Sequence, residues 1–144
     1  MTRRPRVIAL CVFRDAGRIL VFHVEDADDA GWRPLGGQVE WGERARDAVV
    51  REIREELGLD IGDPILLGTV ENLFTYRGDE GHEIVFVFDA LLPDPSLYAQ
   101  EAIAFVEGGF EGKARWKWLG EFEAPGAQPL YPDGLLELLK GLSE

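Results

Sequence analysis

A charged helical segment with glycines at both ends is the feature that most constrains this chain. Residues 43–57 have the apolar spacing of an amphipathic α-helix, and Gly58 follows as a C-terminal cap. Gly36 and Gly37 come shortly before the segment, and β-rich runs lie on both sides of it. A helix set among strands buries its apolar face on a sheet, which indicates an α/β protein.

The rest of the chain is dominated by β-type runs separated by turn signals. The predicted strands are residues 7–13, 18–23, 65–76, 82–92 and 116–119, with turns at 15–17 and 77–81. An acidic loop is expected at 25–29, a break in a short strand at 35–37, a loop region with a short helix at 93–112 and a closing helix at 133–142. Several strands with two helices indicate an α/β sandwich built on a mixed sheet.

Chain length, net charge and the length of the apolar stretches limit the number of domains, the location and the binding partners of the protein. The chain has 144 residues and a net charge of −12, so we expect a single domain over residues 1–144. Its longest apolar stretch, Val7 to Phe13, is far shorter than the roughly 20 residues of a membrane-spanning helix. No signal-peptide pattern follows Met1, so a cytoplasmic protein without membrane contact is expected. The excess of acid argues against binding a nucleic-acid polymer, whose phosphates attract Lys and Arg.

The metal-binding chemistry open to the chain is also limited. Cys11 is the single cysteine, which excludes an intrachain disulfide, and only His23 and His82 are available as histidine ligands. A Cys/His zinc site cannot be assembled from these residues. Any metal ion must therefore be bound through oxygen.

Two glutamates fall on the side of the helix that should be buried. At about 100° per residue, Glu52 and Glu56 lie within about 20° of Ala45, inside the apolar arc, and Glu55 flanks them. Two carboxylates about 6 Å apart repel by roughly 3 kcal/mol at an effective dielectric constant near 20. Arg51 reaches Glu55 at i,i+4 but cannot neutralise three carboxylates. A divalent cation such as Mg²⁺ can, because it binds oxygen and is readily shared with substrate phosphates.

The same residues also fit a plain solvated helix face, which is what a run of charges usually is. Their position inside the apolar arc argues against this, since charges are rarely buried unless they are paired or bound to metal. The Gly36-Gly37 pair argues against it as well, because glycine lets the backbone approach a ligand closely and leaves its carbonyl oxygens accessible.

These residues together form a known signature. Gly37, Glu43 and the run Arg51-Glu-Ile-Arg-Glu-Glu-Leu-Gly-Leu59 have the residue types and spacing of a complete Nudix box. From Gly37 to Leu59 the chain therefore resembles the Nudix hydrolase superfamily. The resemblance implies an α/β/α sandwich around a mixed β-sheet. One departure is Leu35, which stands where family members commonly have proline directly before the two glycines.

The resemblance implies a reaction: hydrolysis of a diphosphate linkage in a nucleoside diphosphate joined to another group. The substrate would be a nucleoside triphosphate, a nucleotide sugar or a dinucleoside polyphosphate, and the products a nucleoside monophosphate and a phosphorylated partner. The alternative is a non-catalytic nucleotide sensor or regulatory module on the same fold. A homodimer is also expected, because dimers are common among family members.

The resemblance also implies a metal site. Mg²⁺ is the expected cofactor, with Mn²⁺ as a substitute. The expected ligands are the carboxylates of Glu52, Glu55 and Glu56 and the carbonyl oxygen of Gly36. Glu55 has a second expected role, because it either binds the metal or orients and deprotonates the attacking water.

Further residues would support this site. Arg51 is expected to hold the glutamates in place and is one of the expected catalytic residues, with Glu55, Glu56 and Glu111. Glu43 is expected to support the metal ligands without binding the metal itself. Family members often have one more glutamate on a loop outside the box. Glu111 is the first choice for that residue here, and Glu107 is the second.

Substrate contacts are less constrained by the sequence. The aromatic candidates for contact with a base are Trp32, Phe74, Tyr76, Phe110 and Tyr131. Tyr76 is similar in position to a tyrosine of the dinucleoside polyphosphate branch, and Phe74 stands where the ADP-ribose branch tends to have proline. Basic candidates for contact with phosphates are Arg33, Arg77 and Lys113. We expect Tyr76, Arg33 and Phe74 to bind the substrate.

Overall fold

The computed structural model describes residues 3–26 and 29–142, so residues 27 and 28 of the predicted acidic loop lie outside it. Its elements, in chain order, are β1 (Arg6–Asp15), β2 (Arg18–Val24), β3 (Gly31–Arg33), β4 (Leu35–Gln38), α1 (Ala45–Leu57), β5 (Ile65–Tyr76), β6 (Asp79–Ala90), β7 (Ala102–Glu107), β8 (Phe110–Trp118) and α2 (Leu135–Lys140). Short 3₁₀ helices cover Pro95–Ala99 and Leu119–Glu123. No helix among the described residues is both long and apolar enough to cross a membrane.

The helix predicted over residues 43–57 is confirmed, beginning two residues later than expected. It ends at Gly58, which adopts a left-handed conformation and donates its N–H to the carbonyl of Arg54. The loop predicted over residues 93–112 is wrong in its second half. Residues 102–107 and 110–118 pair as a hairpin, with Gly108 and Gly109 as its two-residue turn. Both turn residues have positive φ, which glycine adopts without strain. The glycine pair therefore forms a tight turn between two strands and does not mark a long loop.

The glycine pair before the helix lies within a strand. Gly36 and Gly37 pair with Leu10 and Ala9 of β1, so the predicted strand break is wrong. Gly36 has a φ of +149°, and a Cβ there would lie 2.2 Å from the Ala9 carbonyl oxygen. Glycine is needed here because β4 runs too close to β1 for a side chain. Leu35 at the start of β4 is fully buried against the α1 side of the sheet.

The strands form one mixed sheet, as predicted. Its order is β5-β6-β1-β2-β8-β7, with β3 added beside β2 and β4 beside β1. β1 and β6 are parallel, and the other pairs are antiparallel. Because side chains alternate along a strand, β1 supplies both faces. Cys11 packs toward α1, whereas Leu10 packs toward α2. The predicted α/β/α sandwich is confirmed.

The sheet opens on one side of its centre, and this opening creates a large cavity. β1 and β2 pair directly only near the turn, at Arg14–Ile19 and Asp15–Arg18. Beyond this point β4 lies beside β1 and β3 beside β2. The cavity, about 1650 Å³ and open to solvent, is lined on one side by β1 and β4 and on the other by β2 and β3. The middle of α1, through Arg51 and Glu52, is anchored to β4 at this opening.

Candidate active site

The three glutamates of helix α1 differ in how far they are buried. Glu56 is buried, with 4% of its surface exposed, so it lies on the inner side of the helix as its angular position predicts. The side chain of Glu52 is 16% exposed and that of Glu55 58% exposed. Glu52 and Glu55 line the cavity. The helix thus arranges carboxylates from the core to the cavity surface.

Arg51 ties the acidic residues together. Its Nε donates to Glu43 Oε2 at 2.9 Å and its Nη2 to Glu43 Oε1 at 3.0 Å, a two-pronged ion pair. Its Nη1 donates to Glu52 Oε1 at 2.9 Å and, at 3.4 Å, to Glu55. A further hydrogen bond reaches the Gln38 carbonyl of β4. The pKa of Glu43 is lowered mainly by its hydrogen bond to Arg51. This geometry agrees with the expected holding role of Arg51.

Glu56 carries a buried carboxyl group that lacks hydrogen-bond partners. Neither of its two oxygens has one among the described residues. Burial, followed by the nearby carboxyl groups of Glu107 and Glu52, raises the pKa of Glu56 to about 10, while the backbone of Gly36 lowers it. Burial is also the largest cause of the raised pKa of Glu52, and Arg51 opposes it. An unpaired buried carboxyl group is costly, which points to a missing cationic partner.

The glycines of β4 make room for these acids. A Cβ on Gly37 would lie 2.4 Å from the carboxyl carbon of Glu52, so the carboxyl group of Glu52 packs directly on the strand backbone. Gly36 is close enough to Glu56 to affect its pKa. The glycine pair therefore brings backbone and carboxylates together, as the sequence indicates.

The structure brings Glu107, and not Glu111, to the helix glutamates. Glu107 ends β7, lines the cavity and lies against Glu56. Glu111 lies on β8, on the other side of the hairpin turn, where it pairs with Val106 of β7. It is exposed and does not line the cavity. The two-residue turn at 108–109 moves Glu111 to the second strand, and this placement favours the second choice over the first.

The donor set fits a divalent cation. It consists of hard oxygen atoms, and the unpartnered oxygens of Glu56 are available to an ion. Among residues 3–26 and 29–142, no three acidic, histidine or cysteine side chains are already gathered around one point. Arg51 holds Glu52 and Glu55 on its own side. Both carboxylates are thus engaged by Arg51 and are not gathered around one point with Glu56.

The predicted substrate residues lie together around the cavity. Arg33, Phe74 and Tyr76 all line it, and so do Phe110, Arg77 and Tyr131, whereas Trp32 and Lys113 do not. Phe74 packs across the β5–β6 hairpin over Gly81, where a Cβ would lie 2.2 Å from the ring. Tyr76 donates its hydroxyl to the Glu25 carbonyl at 3.3 Å.

Sequence reasoning considered Glu83 for the site, for a salt bridge or for a solvated strand end, but it missed the polar cluster that Glu83 forms on another wall of the cavity. Glu83 is 1% exposed and contacts Arg6, Arg33 and Asn72. A signal for its burial was present, because Glu83 alternates with Val85 and Val87 on the inward face of β6. No such signal indicated its partners, because Arg6 is 77 residues away from Glu83 in the sequence.

This fold and this glutamate arrangement define a class of hydrolases. The NUDIX domain family model matches residues 2–130, and the chain belongs to this family. The predictions of a Nudix protein and of a hydrolase are confirmed by this match and by the relatives. Nudix hydrolases generally use divalent metals, and they act on nucleotide-type substrates.

Individual relatives give the same family. The chain is 30% identical over 120 residues to the uncharacterized Nudix hydrolase YvcI of Bacillus subtilis, covering 81% of this chain and 70% of that protein. It is 44% identical over 55 residues to the CTP pyrophosphohydrolase of Escherichia coli, covering 38% of this chain and 41% of that protein. The crystal structure of a MutT NUDIX hydrolase from Burkholderia pseudomallei is 27% identical, with a TM-score of 0.68 over 97% of this chain and 100% of that one.

Proposed function

We propose that this chain is a divalent-metal-dependent pyrophosphohydrolase that cleaves the diphosphate linkage of a nucleoside diphosphate joined to another group. The observation that carries the proposal is the buried, unpartnered carboxyl group of Glu56, with Glu52 and Glu107 beside it at the edge of a large cavity. A CTP pyrophosphohydrolase among the relatives supports a nucleotide substrate.

Mg²⁺ is the proposed cofactor, with Mn²⁺ as a substitute. Glu52, Glu56 and Glu107 would hold it through their carboxylates, and Gly36 through its carbonyl oxygen. When bound, the cation neutralises diphosphate charge and stabilises the negative charge that develops on the leaving oxygen. Binding would give Glu56 the cationic partner that it lacks among the described residues.

The remaining residues orient the site and move the proton. Arg51 keeps Glu52 and Glu55 in position through its two-sided ion pairs. Glu55, the most exposed of the three helix glutamates, is the proposed base, and it takes a proton from the attacking water on a carboxylate oxygen. The water oxygen forms a bond to one phosphorus atom while the bridging P–O bond breaks, and the bridging oxygen leaves on the other phosphate.

The part of the cavity lined by Phe74 and Tyr76 is the proposed binding site of the nucleoside. Phe74 and Tyr76 offer ring surfaces there, and Arg33 offers N–H donors. We also keep as proposals the homodimer, the cytoplasmic location and a small nucleotide rather than a polymer as substrate.

The test is a hydrolysis assay on metal-stripped protein to which Mg²⁺ or Mn²⁺ is returned. The panel contains nucleoside triphosphates, nucleotide sugars and dinucleoside polyphosphates, with products identified by mass. Turnover in ¹⁸O-labelled water shows which phosphorus atom is attacked. Glu56→Gln should lower turnover by several orders of magnitude while remaining folded.

Glu71→Gln is the matched control, because Glu71 is an exposed β5 residue outside the cavity. Wild-type rates in Glu56→Gln would contradict the proposal. Tight nucleotide binding without turnover in any member of the panel would favour the sensor alternative.

A further inference from the structure

A buried carboxylate binds two arginines at the wall of the cavity. Glu83 on β6 is in register with Arg6 on the parallel strand β1. Its Oε2 accepts a hydrogen bond from Arg6 at 2.8 Å. Its Oε1 accepts one from Asn72 at 3.4 Å and lies 3.5 Å from Nη2 of Arg33. Two guanidinium groups thus meet one buried carboxylate at this wall of the cavity.

One arginine is sufficient to neutralise a buried carboxylate, so the second needs another explanation. The same two strands hold another ion pair, Arg14 with Asp89 at 2.8 Å, and neither of these residues lines the cavity. At Glu83 the shorter contact is with Arg6, and the longer one is with Arg33. Arg33 is therefore the residue whose charge is in excess.

Arg33 is placed to contact a ligand. Its side chain is 24% exposed and lines the cavity. Apart from the ion pair with Glu83, its guanidinium has no hydrogen-bond acceptor among the described residues. A guanidinium carries five N–H donors in a planar fork, and the contact with the Glu83 carboxylate at one edge restricts the directions open to the rest. Holding the fork in place before binding lowers the entropy lost on binding.

Resting on the proposed function, we propose that Arg33 selects the substrate's nucleobase by donating two parallel hydrogen bonds to adjacent acceptor atoms. Glu83 is the positioning residue that orients the fork. Guanine presents such a pair at O6 and N7, and cytosine at O2 and N3. Adenine presents a donor next to N7, and uracil has an N–H between its two carbonyls. The substrates are therefore guanine or cytosine nucleotides.

A base fits this position better than a phosphate does. Arginine also binds phosphate through a fork, but the diphosphate belongs with the metal ligands of α1 and β4. Phe74, Tyr76 and Tyr131 line the same cavity as Arg33 and provide ring surfaces against which a base can stack.

The proposal is tested by two measurements on the full chain in Mg²⁺. The first is kcat/KM for GTP, CTP, ATP and UTP, and the second is the Kd of GMP, CMP, AMP and UMP by calorimetry, which requires no turnover. Guanine, cytosine or both should exceed adenine and uracil by about tenfold in each measurement. A preference for guanine should fall with the 7-deaza analogue, which lacks the N7 acceptor.

Substitutions distinguish a role of these residues in base selectivity from a role in the stability of the fold. Arg33→Lys keeps the charge but removes the fork, so the selectivity ratio should fall toward one. Glu83→Gln should lower the same ratio, through KM more than through kcat, because the fork is less firmly held. Asp89→Asn breaks the matched ion pair of the same two strands and should keep the wild-type ratio. Arg33→Lys leaves the buried carboxylate untouched and tests the proposal even where Glu83→Gln folds poorly.

Three results would overturn the proposal. One is a wild-type protein with no preference, or with a preference for adenine or uracil. Another is an unchanged ratio in Arg33→Lys. The third is a loss of kcat/KM in Arg33→Lys that is as large on ribose 5′-triphosphate as on the nucleotides. Because ribose 5′-triphosphate has no base, this result would assign Arg33 to phosphate binding. Hydrolysis without base preference refutes this inference alone. Selective binding of GMP or CMP without hydrolysis of any nucleotide refutes only the proposed function.

Discussion

Glu56→Gln should stabilise the metal-free protein, because a carboxyl group without partners is replaced by a neutral amide of the same shape. The pKa of Glu56 is about 10 in the folded chain against an ordinary value of 4.5. Folding at pH 7 must therefore keep a proton on a group that the unfolded chain ionises. At 1.36 kcal/mol per pH unit, this costs about 3 kcal/mol. The amide of Gln can also donate to the carboxylate of Glu107.

The sign of the pH dependence follows from the raised pKa. Below pH 4.5 the carboxyl group of Glu56 is protonated in both states, so its full stability is present there. That stability is lost as the pH rises from 4.5 toward 10. The advantage of Glu56→Gln should thus be about 1 kcal/mol at pH 5 and about 3 kcal/mol at pH 7.

Urea unfolding in EDTA at several pH values measures this difference. Glu71→Gln, a change at an exposed position, should stay within about 0.5 kcal/mol of wild type. Adding Mg²⁺ at about 100 times its Kd should stabilise wild type by about 2.7 kcal/mol and the Glu56→Gln variant far less. The reasoning fails if Glu56→Gln is no more stable than wild type in EDTA at pH 7, or if the difference does not change with pH.

Substitutions at three other positions of the site give further predictions. Gly37→Ala places a Cβ 2.4 Å from the Glu52 carboxyl carbon, so steady-state assays should show about a 100-fold loss of kcat/KM, and full activity would contradict this packing. Glu107→Gln should weaken Mg²⁺ binding, measured by calorimetry, by at least about tenfold and more than Glu111→Gln does; the opposite order would restore the first choice from the sequence. Arg51→Lys loses the two-pronged contact with Glu43, and urea unfolding should show a loss of about 1.5 to 3 kcal/mol.

The local features of the site follow from the sequence because they depend on short-range geometry. The period of the helix alone places Glu52 and Glu56 on the inner side, and four residues along a helix are neighbours whatever the rest of the chain does. The contact of Arg51 with Glu55 has the same origin. The glycine pair signalled a close backbone approach, although it lies in β4 and not in a strand break.

The hairpin of β7 and β8 was missed because prolines and a glycine pair also mark loops. Burial alternates along this strand, with Ile103 and Phe105 buried, but residues 102–106 are all apolar, so the sequence showed no alternation of polar and apolar residues that would identify a strand. The error affected the site directly. A two-residue turn between Glu107 and Glu111 sends them to different strands, and only Glu107 lies against Glu56.

The sequence by itself determined the family and the acidic helix, and it predicted oxygen ligands for a metal ion. Each of these depends on residue types at fixed spacing within about 25 consecutive residues. Only the tertiary structure decided that Glu107 joins the helix glutamates and that Glu83 holds Arg6 and Arg33. These contacts depend on which strands pair and in which register. A shift of one residue turns every side chain of a strand to the opposite face, so spacing along the chain does not specify them.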